Sequence, residues 1–295
     1  MKHQLGVVSR ENITAVRELS ESEYEEYKKA AGRLANFSSS QQLYAIVTLN
    51  YDDYGNILKQ YGRHYAENPR AVNWIIMEKM VLNINRHLLN FLSAVRTFLD
   101  HTETKLKKHY GSDSHRYKRF KDACSQAYDT NFSYRFLYRL RNFAQHCGLP
   151  LGTLTLHSTE TPPHSGHVQH SLEVKFNRDE LLLERDLWGN QLMKEIETLP
   201  EQFEITPHVA ETMKCLEKIN LTVIEDDLQE LLQSAEYIQQ LVNPIKDMPG
   251  LPCILEVKKY CKGKELKLEI TNIPFHVVKM VMNIKAHLEP AKECL

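Results

Sequence analysis

The sequence predicts a mainly helical fold, an antiparallel helical bundle carrying a small antiparallel sheet made of two hairpins. Three observations lead there. Most of the 295 residues follow a 3.6-residue apolar period, two short stretches follow a period of two, and 42% of the chain is apolar, enough to bury an extended core.

Residues 1–38 are polar and read as an N-terminal helical extension, with one amphipathic helix over about Glu21 to Leu34. The serine run Ser38 to Ser40 is expected to end it and to cap the next helix, because serine hydroxyls accept from first-turn amides. Residues 39–150 form the helical core. Within Gln41 to Tyr65, the residues Leu43, Ile46, Val47, Tyr51, Tyr54 and Leu58 recur three and four apart as one apolar stripe. Asn68-Pro69 breaks this helix. The longest one follows over about Val72 to Lys108, striped by Ile75, Met80, Ile84, Leu88, Leu92, Val95, Phe98 and Leu99. A helix of ~36 residues rising 1.5 Å each is a rod of about 54 Å, which needs several partners to cover its stripe. Two shorter helices come next, about Ser114 to Tyr128 and Phe132 to Cys147, the second stopped by Gly148 and Pro150.

The period then shortens. Thr153 to Leu156 and Val168 to Phe176 alternate on either side of a loop, a hairpin within 151–177. Residues 178–250 read as an acidic helical segment that completes the bundle, its main helix running from Thr206-Pro207 to about Val242. Residues 251–295 hold a second hairpin, Cys253 to Tyr260 and Leu266 to Ile270 about Gly263, and a closing helix from Phe275 to Leu288.

The net charge of −1 argues at face value against a nucleic-acid partner. Its distribution argues otherwise. From Lys105 to His146 ten basic residues stand against three acids, a net of +7, and from Arg178 to Asp247 six basic residues stand against sixteen acids, a net of −10. Tyr110, Tyr117, Phe120, Tyr128, Phe132, Tyr134, Phe136, Tyr138 and Phe143 are interleaved with the basic block. Cations neutralise phosphates and aromatic faces stack on unpaired bases, so the block suits RNA, with Lys118, Lys121 and Arg139 as the expected RNA-contacting residues. The same pattern also suits an aromatic core under a solvated charged face. Lysines of the second hairpin (Lys258, Lys259, Lys262, Lys264, Lys267) extend the basic surface or simply protect an edge strand.

Other classes recede. Apolar runs such as Leu88 to Leu92 fall far short of the roughly 20 residues a bilayer span needs, so no membrane partner is expected. The N-terminus has no apolar core of signal-peptide length. Six scattered cysteines without a C-x-x-C pair fit a reducing, cytoplasmic compartment and no zinc knuckle. His157, His164, His167 and His170 surround the first hairpin loop without the cysteine or carboxylate partners of a zinc site. Cys147 adjoins His146, but helical neighbours point about 100° apart, which disfavours a Cys-His nucleophile. No Gly-rich phosphate loop occurs, and no cofactor is expected.

One constellation carries chemistry, Arg141-Asn142-Phe143-Ala144-Gln145-His146. A histidine moves protons near neutral pH, and an arginine holds non-bridging oxygens as charge builds on phosphorus, a combination suited to phosphodiester transfer. Five residues on an ideal helix turn the chain about 140°, so the two side chains converge only at a helix end or across a dimer seam. Arg96 and His101 repeat the spacing in the middle of the long helix. Arg141 and His146 also suit simple capping of a helix C-terminus.

The stretch Arg141-Asn142-x-x-x-His146 ends a helix in an all-helical segment and follows the long helix with Asn90-Phe91-Leu92-Ser93-Ala94-Val95-Arg96. In this it resembles the HEPN superfamily (higher eukaryotes and prokaryotes nucleotide-binding), over about residues 40–150. The resemblance implies a HEPN-like bundle and a metal-independent endoribonuclease in which two protomers place their motifs face to face. The ribose 2′-hydroxyl attacks the adjacent phosphate and leaves a cyclic phosphate end. It implies that Arg141 holds the phosphate, His146 acts in proton transfer or holds the scissile group, and Asn142 orients its neighbours. It further implies a homodimer, a place in antiviral defence or a toxin system, and a possible regulatory protein partner. Many members only bind, so the alternative is a non-catalytic helical RNA- or protein-binding module, docking a partner through the acidic helix or the sheet.

Overall fold

The computed structural model describes residues 2–10, 12–68, 70, 72–151, 153–160, 166, 168–259 and 266–288. In chain order these are strands β1 (Lys2–Val8) and β2 (Ile13–Leu19), and helices α1 (Glu21–Glu67), α2 (Trp74–Tyr110), α3 (His115–Thr130) and α4 (Phe132–His146). Strands β3 (Thr153–Glu160) and β4 (Val168–Asn177) follow, then the short helices α5 (Arg178–Leu182), α6 (Arg185–Trp188) and α7 (Asn190–Glu197), and strand β5 (Gln202–Glu204). Helices α8 (Thr206–Glu225) and α9 (Leu228–Val242), strands β6 (Leu251–Lys259) and β7 (Leu266–Asn272), and helix α10 (Phe275–Leu288) complete the chain. The fold is mainly helical with small antiparallel sheets. Among the described residues no helix is long and apolar enough to cross a membrane. Lys262 and Lys264 of the second hairpin, and His164 and His167 of the first hairpin loop, lie outside the described residues.

The chain forms two compact units, residues 1–42 with 224–295, and residues 43–223. In the first, an antiparallel sheet of order β2-β1-β6-β7 replaces the helical extension expected for the first residues. The physical reason is non-local. Strand β1 pairs with β6, Leu5 opposite Ile254, and β2 is almost wholly exposed, so neither strand shows the alternation of a half-buried sheet. Leu5 and Ile254 share a core with Leu34, Ile238, Val277 and Val281. Gly6 sits at a register shift, where a Cβ would stand 2.6 Å from the Thr14 carbonyl oxygen and 2.7 Å from a Leu255 methyl.

Helix α1 begins in a capping box. The Glu23 N–H donates to Ser20 Oγ at 3.2 Å, and the Ser20 N–H donates to Glu23 Oε2 at 2.8 Å. The expected break at Ser38 to Ser40 does not occur, and α1 runs 47 residues without interruption. Ser40 donates back to the Phe37 carbonyl at 2.7 Å, so its hydroxyl is satisfied inside the helix, while Leu34, Phe37 and Val47 are buried on either side of the run.

The second unit is built on α2, whose buried residues include Met80, Ile84, Leu88, Leu92, Val95, Phe98 and Leu99 of the expected stripe; Ile75 is exposed. Local capping sets its ends. Asn73 accepts from the Ile76 N–H at 3.1 Å, and Gly111, at φ 85°, donates to the Lys107 carbonyl. The hairpin of β3 and β4 gains a third strand, β5, with Phe176 opposite Phe203. The sheet expected from two hairpins is therefore two separate sheets. The acidic segment is also less regular than expected. Gly189, at φ 74°, separates α6 from α7, and the helix expected to run from Thr206 to Val242 divides at Asp226-Asp227. Two consecutive aspartates, Asp226 and Asp227, are poor helix-interior residues, and the Asp227 N–H turns to the Ile224 carbonyl in a tighter bond.

Candidate nucleic-acid interface

All the residues named for RNA contact or chemistry lie on α3 and α4. Asn131 joins the two helices: its N–H donates to the Ala127 carbonyl, and its Oδ1 accepts from the Tyr134 N–H at 2.9 Å. Helix α4 is then fixed from two sides. Phe136 and Phe143 stack on Trp188 with ring centroids 5.7 and 5.6 Å apart, and the Trp188 indole donates to the Leu181 carbonyl. Arg135, buried to 4% exposure, donates to both carboxylate oxygens of Glu195 at 2.6 and 3.0 Å and to the Tyr128 carbonyl. Beyond the helix, Leu151 exchanges two hydrogen bonds with the side chain of Asn85 on α2, which holds the segment following His146.

The aromatic residues of the basic block divide accordingly. Phe120, Tyr134, Phe136 and Phe143 are core; Tyr117, Tyr128, Phe132 and Tyr138 are half-buried, and Tyr110 is exposed. Arg135 serves the fold and is not available to a phosphate.

Arg141 is half-buried and faces α2. It lines a slot of about 10 Å³ with Arg96, Val95, Tyr138 and Thr212, the room of a single water-sized group. Its Nε is buried without a hydrogen-bond partner, and its terminal nitrogen lies 3.4 Å from Asn142 Oδ1. His146 is exposed at the last position of α4 and does not line the slot. The structure thus brings Arg141 and Asn142 together and leaves His146 apart, as the helical angle of about 140° requires. It instead pairs Arg141 with Arg96, the residue that the sequence pattern set aside; His101 is exposed and off the slot.

A cleft of about 320 Å³ shares Arg96, Tyr134 and Tyr138 with the slot. Lys121 and Arg139 line it; Lys118 does not, and sits exposed 3.9 Å from Asp113. Lys121 donates to Glu103 at 3.1 Å, which raises the lysine pKa. Burial acts to raise the Glu103 pKa, but the hydrogen bonds from Lys121 and Tyr117 outweigh it and hold the carboxyl below its usual range. Arg96 donates to Asp100 at 2.8 Å and to the Tyr138 hydroxyl. Burial works against its charge, yet Tyr138 and Asp100 together raise its pKa. These pairs are partly solvated, worth about 0.2–1 kcal/mol each, and open readily to a competing anion. Burial pushes the Cys124 thiol up to about 12, so this cysteine in the cleft wall stays protonated and unreactive at neutral pH.

No protein-family model, curated protein or solved structure matches the chain. Its chemistry rests on its own geometry. Among the described residues no three His, Cys, Asp or Glu side chains gather as metal ligands. His157 instead shares a hydrogen bond of 2.9 Å with Glu173 on the hairpin. Sequence reasoning missed Asp129 and Thr212 as wall residues, and it named Arg96 only as a repeat of the spacing and Tyr138 only as one aromatic of the basic block. The spacing of Arg96 and Asp100, one helical turn apart, marks that face of α2, but nothing local to it names α4 as the neighbour.

Proposed function

We propose that the chain is a metal-independent endoribonuclease of HEPN type, working as a homodimer. The observation that carries it is the buried, unpartnered Nε of Arg141 in a slot walled by a second arginine. A buried N–H without an acceptor costs about 1–3 kcal/mol, and a non-bridging phosphate oxygen would satisfy it. Arg141 and Arg96 hold the scissile phosphate at the mouth of the slot, one non-bridging oxygen entering its water-sized space, and Asn142 steadies Arg141. His146 moves the proton. Because His146 projects away from the Arg141 of its own helix, each working pair takes its histidine from the second copy. The 2′-hydroxyl gives up its proton as its oxygen bonds to phosphorus, the bond to O5′ breaks, and that oxygen is protonated. The ends are a 2′,3′-cyclic phosphate and a 5′-hydroxyl. Lys121 and Arg139 contact the flanking RNA, with Lys118 at the periphery. A role in antiviral defence or a toxin system, with a regulatory partner, fits such an activity.

The test is cleavage of total RNA in EDTA. Arg141→Ala and His146→Ala abolish it, Arg96→Ala weakens it, and His101→Ala leaves it unchanged. Mixing the Arg141→Ala and His146→Ala chains restores about a quarter of the activity, since half the random dimers are mixed and each has one intact site. Cleavage that survives both substitutions, or that needs added metal, overturns the proposal. The basic block's ion pairs, Lys121 with Glu103 and Arg135 with Glu195, favour a second reading, a non-catalytic binding module. RNA bound without cleavage, with affinity falling steeply in salt, would select it.

A further inference from the structure

The cleft beside the slot contains two groups that its own ion pairs leave over. Of its three carboxylates, Asp100 is engaged by Arg96, and Glu103 by Lys121 and Tyr117. Asp129 makes no ion pair or hydrogen bond among the described residues. Of its cations, Arg139 donates through Nε to the Tyr128 hydroxyl at 3.1 Å, and that bond orients a guanidinium whose terminal nitrogens have no partner among the described residues. The cleft therefore presents one open two-nitrogen fork and one open two-oxygen carboxylate beside the aromatic walls of Tyr128, Tyr134 and Tyr138. Its volume of about 320 Å³ suits one small molecule, not a duplex.

Guanine is the base that answers both groups. It carries an acceptor pair, O6 and N7, that matches an arginine fork, and a donor pair, N1–H and the N2 amino group, that matches a carboxylate. Adenine and uracil lack both pairs, and cytosine, with O2 and N3 as adjacent acceptors, lacks the donor pair. We propose that the cleft is a base pocket selecting guanine in the nucleotide whose phosphate lies at Arg96 and Arg141, with Arg139 donating to O6 and N7 and Asp129 accepting from N1–H and N2. The proposal rests on the reading of the Arg141 slot as a phosphate site, and the wall residues common to slot and cleft join the two halves of one nucleotide.

Calorimetric titration of the full chain with guanosine and with the four 5′-mononucleotides tests it. The expected result is at least tenfold tighter binding of 5′-GMP than of AMP, CMP or UMP. Inosine 5′-monophosphate, which lacks the N2 amino group, binds severalfold more weakly than 5′-GMP to the unmodified protein. Asp129→Asn and Arg139→Gln each reduce the guanine preference below threefold, whereas Arg141→Ala removes the advantage of 5′-GMP over guanosine and keeps the base preference. Equal affinity for the four nucleotides, no binding at millimolar concentration, or a preference that Asp129→Asn and Arg139→Gln leave intact overturns the pocket. A guanine preference in a protein that cleaves no RNA upholds the pocket and removes the proposed reaction. Cleavage without base preference does the reverse.

Discussion

Truncating Asn85 to alanine is expected to destabilise the second unit by about 3 kcal/mol, roughly a 150-fold fall in the folded-to-unfolded ratio. Asn85 is 1% exposed. Its Oδ1 accepts from the Leu151 N–H at 3.1 Å, and its Nδ2 donates to the Leu151 carbonyl at 3.3 Å, so the amide stands in for a strand partner. Alanine leaves one backbone donor and one acceptor unmade where water does not reach. At about 1–3 kcal/mol for each group, offset by relaxation, the central expectation follows. Asn85→Asp keeps the acceptor, loses the donor and buries a charge, and so loses at least as much. The assay is urea unfolding followed by the fluorescence of Trp188, 1% exposed, in a Trp74→Phe background that removes the second, 74% exposed tryptophan. A loss under about 1 kcal/mol at unchanged slope would refute the reasoning, because Leu151 would then have found other partners.

Four further outcomes follow from the packing. Glu195→Ala strands a guanidinium at 4% exposure and should cost about 3–5 kcal/mol, more than Arg135→Met, which leaves a carboxylate already one-third exposed to water; equal losses in urea would count against this. Ser20→Ala removes half of the capping box of α1 and should cost about 1 kcal/mol in thermal unfolding. The hydrogen bonds from Arg17 and from the Ser20 backbone hold the Glu23 carboxyl down at about 2. Its stabilisation is therefore complete above its usual pKa near 4.5 and is lost as pH falls toward 2, a loss that Glu23→Gln should flatten in an acid titration followed by circular dichroism. Burial lowers the pKa of His208, which meets Ser133 Oγ at 2.8 Å among Phe132, Phe136 and Phe203. Protonation then favours the unfolded chain, so stability should fall as pH drops below about 6.5, and His208→Gln should reduce that slope in urea midpoints measured from pH 7 to 5.

The helices around the site were legible because their signals are local. Asn73, Ser114 and Asn131 cap from within the segments they begin, and Gly111 ends α2 within its own last turn. The N-terminal hairpin was not, since β1 finds its second partner at Leu251 to Val257, far along the chain, and the exposed β2 carries no alternation. The serine run looked like a break because its residue type prefers one, while buried Leu34, Phe37 and Val47 decided otherwise. At the site, spacing found Arg141, and the angle between positions 141 and 146 already implied that His146 points elsewhere. The partnership of Arg141 with Arg96 depends on the register of α4 against α2, which no pattern within either helix specifies.

Tyr128 meets two arginines with three different parts of itself. Its hydroxyl accepts from Arg139, its carbonyl accepts from Arg135, and its ring centre lies 5.9 Å from the Arg135 guanidinium carbon. Only the first of these distinguishes tyrosine from phenylalanine. Across homologous chains, then, positions 128 and 139 should vary together, tyrosine with arginine, while position 135 tracks the acid at 195 and tolerates either aromatic ring at 128. A survey of sequence variation can thus separate selection on the cleft from selection on the core, two pressures that meet in one side chain.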